Sequence, residues 1–196
     1  MDAKVKVNIE GLKRFAKDVE RGLKTGAKPI GDAFRQWAVR YRSAMQERFD
    51  AFSKGGGDWA PLKPATIAAR RHGKGGKYKR GKKALGAAIA TGGGQVSILR
   101  DTGVLFNTLS PEFIGAPGQH QKTIPYGIEV GFGGSAKHPK GGVTIADIAS
   151  YHQEGKGPLP KREILVDPPP RVVEKMADDM ERALLRLIKE NQVKSG

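Results

Sequence analysis

The chain has 196 residues, 38% of them apolar, and its 35 Lys and Arg outnumber 20 Asp and Glu to leave a net charge of +15. It holds 27 Gly, 12 Pro and no Cys, which excludes disulfides, thiol catalysis and cysteine-ligated zinc. No run approaches the ~20 apolar residues that span a bilayer, the opening MDAKVKVNIEG lacks the apolar core of a secretory signal, and the basic excess favours a polyanion nearby: nucleic acid, an acidic protein surface or a membrane face.

Val5, Val7 and Ile9 alternate with polar residues, as in a short half-buried strand. Leu12, Phe15, Val19 and Leu23 then recur at helical spacing, and Gly26 ends that helix. Pro29 opens a second helix, because proline suits a first turn. Its stripe is Ile30, Phe34, Trp37, Tyr41, Met45 and Phe49, while Arg35, Arg40, Arg42 and Arg48 read as a solvated face. Gly55–Gly57 break the pattern, and Thr66–Ala69 allow a short helix.

Between Arg70 and Lys83 stand eight basic residues and no acid: Arg70, Arg71, Lys74, Lys77, Lys79, Arg80, Lys82 and Lys83. Like charges repel and glycine is costly to order, so this stretch reads as a flexible loop. It is open to three uses: solvation alone, docking on an acidic neighbour, or sequence-independent phosphate contact. Ala84–Ala90 permits a helix that Gly92–Gly94 would end.

Ile98–Leu109 reads as a helix or turn around Asp101, Thr102 and Gly103. Phe113 and Ile114 predict a strand ending at Gly115, paired across a long connection with a second strand over 127–132. Thr144 is a helix N-cap, Ile145, Ile148, Ala149 and His152 share a face, and Gly155 stops the helix. Ile164–Val166 is extended. Three prolines lead to a last helix, about 171–191, with the stripe Val173, Met176, Met180, Leu184, Leu187 and Ile188 and an expected Asp178–Arg182 pair. Together these predict an α+β fold: one domain over 1–196, a small mostly antiparallel sheet packed against N-terminal and C-terminal amphipathic helices, with long Gly/Lys-rich loops including 70–83.

Catalytic patterns are weak. Gly76–Lys83 nearly matches a phosphate-binding loop, but Lys83 stands where a hydroxyl should bind Mg²⁺ and no apolar strand precedes it. The four histidines make no metal-ligand pair at helical spacing. His152 with Glu154 imitates an acid–base couple, yet reads better as a boundary histidine hydrogen-bonded at a helix end. No serine has a nucleophile-elbow setting.

Five patches in order, however, resemble the phage virion morphogenesis family of tail-completion and neck proteins. They are Trp59, Pro61, Leu62 and Thr66 in DWAPLKPAT; Leu99, Thr102, Gly103 and Leu105; Val130 and Gly131; Ile148, Ala149, His152, Gln153 and Gly155; and Pro160, Arg162 and Leu165. Glu163–Ile164 departs from the Pro-Phe common after that arginine. The resemblance implies a non-enzymatic virion protein at the neck or tail end, assembled in the bacterial host cytoplasm. It further implies a six-fold homo-oligomeric ring around the DNA channel, acting as tail terminator or head–tail joiner. Expected partners are connector or adaptor and tail-tube proteins, with non-specific contact to packaged DNA through the basic loop. No cofactor, metal or membrane is expected. Trp59 and Leu62 would anchor a glycine-rich loop, Thr102–Gly103 would form a tight turn, and His152, Gln153 and Arg162 would donate to backbone carbonyls or a neighbouring subunit. The alternative is a non-specific nucleic-acid-binding protein acting through the same loop; a cell-wall hydrolase is disfavoured by the missing acid–base signature.

Overall fold

In the computed structural model, which describes residues 9–72, 96–139 and 141–193, the fold is α+β: helices and one two-stranded antiparallel sheet. The helices are α1 (Ile9–Thr25), α2 (Ile30–Ser53), α3 (Pro64–His72), α4 (Val104–Thr108), α5 (Ile145–Glu154) and α6 (Pro170–Val193); the strands are β1 (Gln119–Ile124) and β2 (Gly127–Phe132). The chain divides into two compact units, one of residues 1–44, 120–131 and 167–196, the other of 45–119 and 132–166.

The first unit is built on the predicted stripes of α1 and α2. Ile30, Phe34 and Leu187 are its buried centre, and Phe15, Val19, Leu23, Trp37, Ile128, Met180 and Leu184 pack around them. Both terminal helices and the sheet therefore share one apolar core, each large side chain contributing about 1.5–3 kcal/mol. Gly26 ends α1 in a left-handed conformation, φ 67°. Trp37 meets Phe34 edge-on at 5.1 Å and donates its indole N–H to the Met176 carbonyl at 2.7 Å.

The arginines of α2 are not a uniform solvated face. Arg35 is exposed beside Asp32, but Arg40 forks onto the buried Asp179 with Nε and Nη2 at 2.6 and 3.0 Å. Arg42 is only 1% exposed; its Nη1 donates to Gln121 Oε1 at 2.6 Å, while Nε and Nη2 have no partner among the described residues. Helix periodicity located the apolar stripe, but a stripe this wide buries flanking polar positions once other elements cover it.

Three further expectations change in this unit. Ile9 is the first residue of α1 rather than the end of a strand; Val5 and Val7 lie outside the described residues. In α6, Met180, Leu184 and Leu187 of the predicted stripe pack inward, but Val173 and Ile188 are exposed while Val172, Asp179 and Ala183 are buried. Arg182 accordingly pairs with Asp179 instead of Asp178.

The hairpin also differs. Phe113 and Ile114 form a turn, not a strand, and β2 pairs with the polar strand QHQKTI across the two residues Pro125 and Tyr126. The polar strand carries no apolar alternation for sequence reading to find. Tyr126 takes φ 64°, and its N–H is held by the Leu23 carbonyl at 2.7 Å.

The second unit has an aromatic centre. Phe49 meets Trp59 edge-on at 5.1 Å and Phe106 at 5.7 Å, and Phe52 meets Trp59 at 5.6 Å. Arg48 lies 4.0 Å over the Phe52 ring and Arg100 3.8 Å over Phe106, so both guanidiniums cap the cluster. Thr144 caps α5 as expected, its hydroxyl accepting from the Asp147 N–H at 3.0 Å.

Candidate functional site

Four short patches of the second unit interlock around one cleft. The DWAPLKP patch precedes α3, which Pro64 opens. Trp59 is buried, and its indole N–H donates to the Glu163 carbonyl at 3.1 Å. The same carbonyl accepts from the Arg48 guanidinium. Arg162, only 4% exposed, reaches back: Nε and Nη2 donate to the Ala60 carbonyl at 3.1 and 2.9 Å. A planar guanidinium can fork in this way and an ammonium cannot.

The end of α5 closes the arrangement. Gly155 takes φ 71°, and a Cβ there would sit 2.9 Å from the Lys161 nitrogen, so only glycine lets the chain turn back at this point. The returning strand-like segment is pinned twice. The Arg162 N–H donates to the His152 carbonyl at 2.7 Å. Gln153 acts as a two-ended clamp: Oε1 accepts from the N–H groups of Ile164 and Leu165 at 2.8 and 3.0 Å, and Nε2 donates to the Leu165 carbonyl at 2.6 Å. Ile164 is thereby held 1% exposed.

Between α3, the 157–162 return and the turn at Leu99 lies a cleft of about 660 Å³. Leu62, Leu99, Leu159, Pro158 and Pro160 give it apolar walls; Lys63, Arg70, Arg162, Thr66 and His152 supply the polar groups. Among the described residues no carboxylate lines it. Arg70 spans the base of α3, donating Nη1 to the Ser97 carbonyl at 2.7 Å, with Nε 3.8 Å from Asp101. Burial, and then the neighbouring Arg70 charge, pull the Arg162 pKa down from its usual value. Burial pushes His152 down to about 4, helped by the charges of Arg162 and Arg70, so its imidazole is neutral at pH 7. Its Nδ1 is buried without a partner among the described residues, contrary to the hydrogen-bonded ring expected from the sequence. The cleft is thus a positive, partly apolar recess, suited to an anionic group joined to an apolar one.

Of the residues singled out in the sequence, Pro61, Leu62, Thr66, Arg70, Leu99, His152, Pro160 and Arg162 line the cleft, while Trp59, Gln153 and Gly155 hold its frame from behind. Thr102 and Gly103 do not line it. Gly103 is the left-handed N-cap of α4, φ 73°, and the Thr102 hydroxyl lies 2.9 Å from His138 Nε2. Arg71 belongs to α3, but Lys74, Lys77, Lys79, Arg80, Lys82, Lys83, the segment Ala84–Ala90 and the glycines 92–94 lie outside the described residues. Lys63 and Leu159 also line the cleft and were not singled out in the sequence. Leu99 has the backbone signature of a special position, φ 58° in a non-glycine residue, which no spacing rule reveals.

Among the described residues no cluster of three His, Asp or Glu is placed to hold a metal, and no helix is long and apolar enough to cross a membrane. No family model, no curated protein and no solved structure matches this chain.

Proposed function

We propose that this chain is a structural virion protein of a tailed phage: a neck or tail-completion subunit that assembles into a ring at the head–tail junction, with connector or adaptor and tail-tube proteins as its neighbours. The reading rests on the resemblance, and one observation supports it. Residues of four of the resembling patches line or brace one cleft, where Ala60 and Arg162, 102 positions apart in the chain, are in contact. Trp59, Arg162 and Gln153 all bond main-chain atoms. Buried polar side chains bonded in this way brace the frame of the cleft.

The net charge of +15 favours a second reading, a nucleic-acid-binding protein acting through the basic loop. Arg70, which lies in α3 rather than in a loop, is already engaged by Ser97 and Asp101, which leaves less of it for phosphate.

Electron microscopy of the purified full chain, alone and with phage particles, separates the two. Rings, or density at the head–tail junction, are the expected result. A persistent monomer that binds DNA tightly, with steep loss of affinity in salt, would overturn the ring reading in favour of nucleic-acid binding.

A further inference from the structure

The second unit carries an exposed feature complementary to its own cleft. The turn Pro111–Gly115, reading PEFIG, follows α4 and precedes β1. Phe113 is 65% exposed and Ile114 67%, the two most exposed large apolar side chains described, and Glu112 stands beside them. Adjacent bulky apolar groups held in water commonly mark an interaction site.

This turn is braced. The Gly115 N–H donates to Gln119 Oε1 at 2.8 Å, the Ala116 N–H to the Phe113 carbonyl at 3.2 Å, and Gln119 Nε2 to the Thr108 carbonyl at 2.9 Å. A turn already ordered loses little entropy on docking.

We propose that the Glu112–Phe113–Ile114 turn of one copy docks into the cleft framed by Lys63, Arg70 and Arg162 of a second copy. The inference rests on the ring reading and gives it a contact. Three observations carry it. The cleft is cationic and no carboxylate among the described residues lines it, while the turn presents one carboxylate next to its apolar tip. The cleft's leucine and proline walls match Phe113 and Ile114 in chemistry, and 660 Å³ lies within the roughly 300–1,000 Å³ of sites that enclose a small ligand. Finally, the turn is exposed on its own copy, so a contact with a cleft must be intermolecular. Because turn and cleft are different surfaces, the contact is head-to-tail: it leaves one turn and one cleft free on every dimer, and propagates until a ring closes.

The test is sedimentation of the full chain across a concentration series. It compares the unaltered protein, a turn variant (Phe113→Asp with Ile114→Ser), a cleft variant (Lys63→Glu with Leu159→Asp), and an equal mixture of the two variants. Circular dichroism confirms that each variant folds; Glu112→Lys, at an exposed position, serves as the mildest turn variant. The unaltered chain should form closed oligomers. Each variant alone should self-associate roughly 10- to 30-fold more weakly or more. The mixture should stop at a heterodimer, since it contains only one working turn and one working cleft per pair. Glu112→Lys should weaken assembly, and adding Lys63→Glu should restore part of it. Rings that form equally well from both variants would overturn the docking contact while leaving the ring reading intact. So would a mixture that stays monomeric. An unaltered chain that remains monomeric at every concentration would overturn both.

Discussion

Arg162 and Ala60 stand 102 residues apart in the chain, yet the guanidinium of one clasps the carbonyl of the other through two nitrogens. The clasp joins the segment before α3 to the segment after α5, and the floor of the cleft is where they meet. Arg162→Lys keeps the charge and loses the fork. It should lower stability by about 1–3 kcal/mol, read as a fall in the thermal midpoint, with self-association weakened in parallel.

Trp59 tests the same junction from its apolar side. Trp59→Phe keeps ring packing against Phe49 and Phe52 but gives up the bond to the Glu163 carbonyl, at a cost of about 1 kcal/mol. Trp59→Ala also leaves a cavity among the aromatic rings and should cost about 3–5 kcal/mol. Urea unfolding of both variants gives the two values; equal losses would mean that the indole N–H, not the packing, holds the patch.

His152 predicts a pH dependence. Burial first, then the charges of Arg162 and Arg70, lower its pKa from 6.5 to about 4. Between those values the unfolded chain binds a proton that the folded chain refuses, so stability is fully present above about pH 6.5 and is lost as pH falls toward 4. The ring is partly exposed and solvent screens it, so the loss is on the order of 1–2 kcal/mol. Thermal midpoints at pH 4.5 and 7 should differ less in His152→Gln than in the unaltered chain.

Asp179 is the corresponding test in the first unit. Its carboxylate is 7% exposed and accepts the forked bonds of Arg40 as well as Arg182. The bond from Arg40 is the largest cause holding its pKa below the usual carboxylate value. The stability it supplies is therefore present above the unfolded pKa and lost as pH falls below it. Asp179→Asn leaves Arg40 without its anion and should cost about 1–3 kcal/mol at pH 7, measured by thermal denaturation. Asp178→Asn, the pair that helix spacing alone would choose, should cost under about 0.5 kcal/mol.

Arg42 offers a prediction of opposite sign. Its buried Nε and Nη2 lack partners among the described residues, and burial lowers its pKa. Arg42→Met removes an under-satisfied charge while keeping the stem's packing, so it should be neutral or stabilising by up to about 2 kcal/mol. A loss above about 1 kcal/mol would show that the bond to Gln121 outweighs desolvation.

Some of this was legible in the sequence because the signals are local. The stripe Ile30, Phe34, Trp37, Tyr41, Met45 and Phe49 predicted α2; Ile30, Phe34, Met45 and Phe49 are fully buried and Trp37 and Tyr41 partly so. Thr144 and Gly155 bounded α5 where capping chemistry puts them. The patches holding Trp59, His152 and Arg162 stood out, although nothing in their spacing says that they touch. Local rules erred where tertiary contacts set the outcome. Phe113 and Ile114 look like strand residues, but β1 formed from polar residues that pair only because β2 lies beside them. Asp178 and Arg182 have ideal spacing, but Arg40 of another helix drew the pairing to Asp179.

What the sequence determined by itself was each element that a period of 3.6 or a cap can specify, the fold class those elements imply, and the excess of positive charge. Only the tertiary structure decided which arginines are buried, which carboxylate answers them, and that Lys63, Leu99 and Leu159 share a cleft with Arg162. The reason is physical. A helix is set by contacts three and four residues apart, whereas Arg162 meets Ala60, 102 positions away, only after the chain between them has folded.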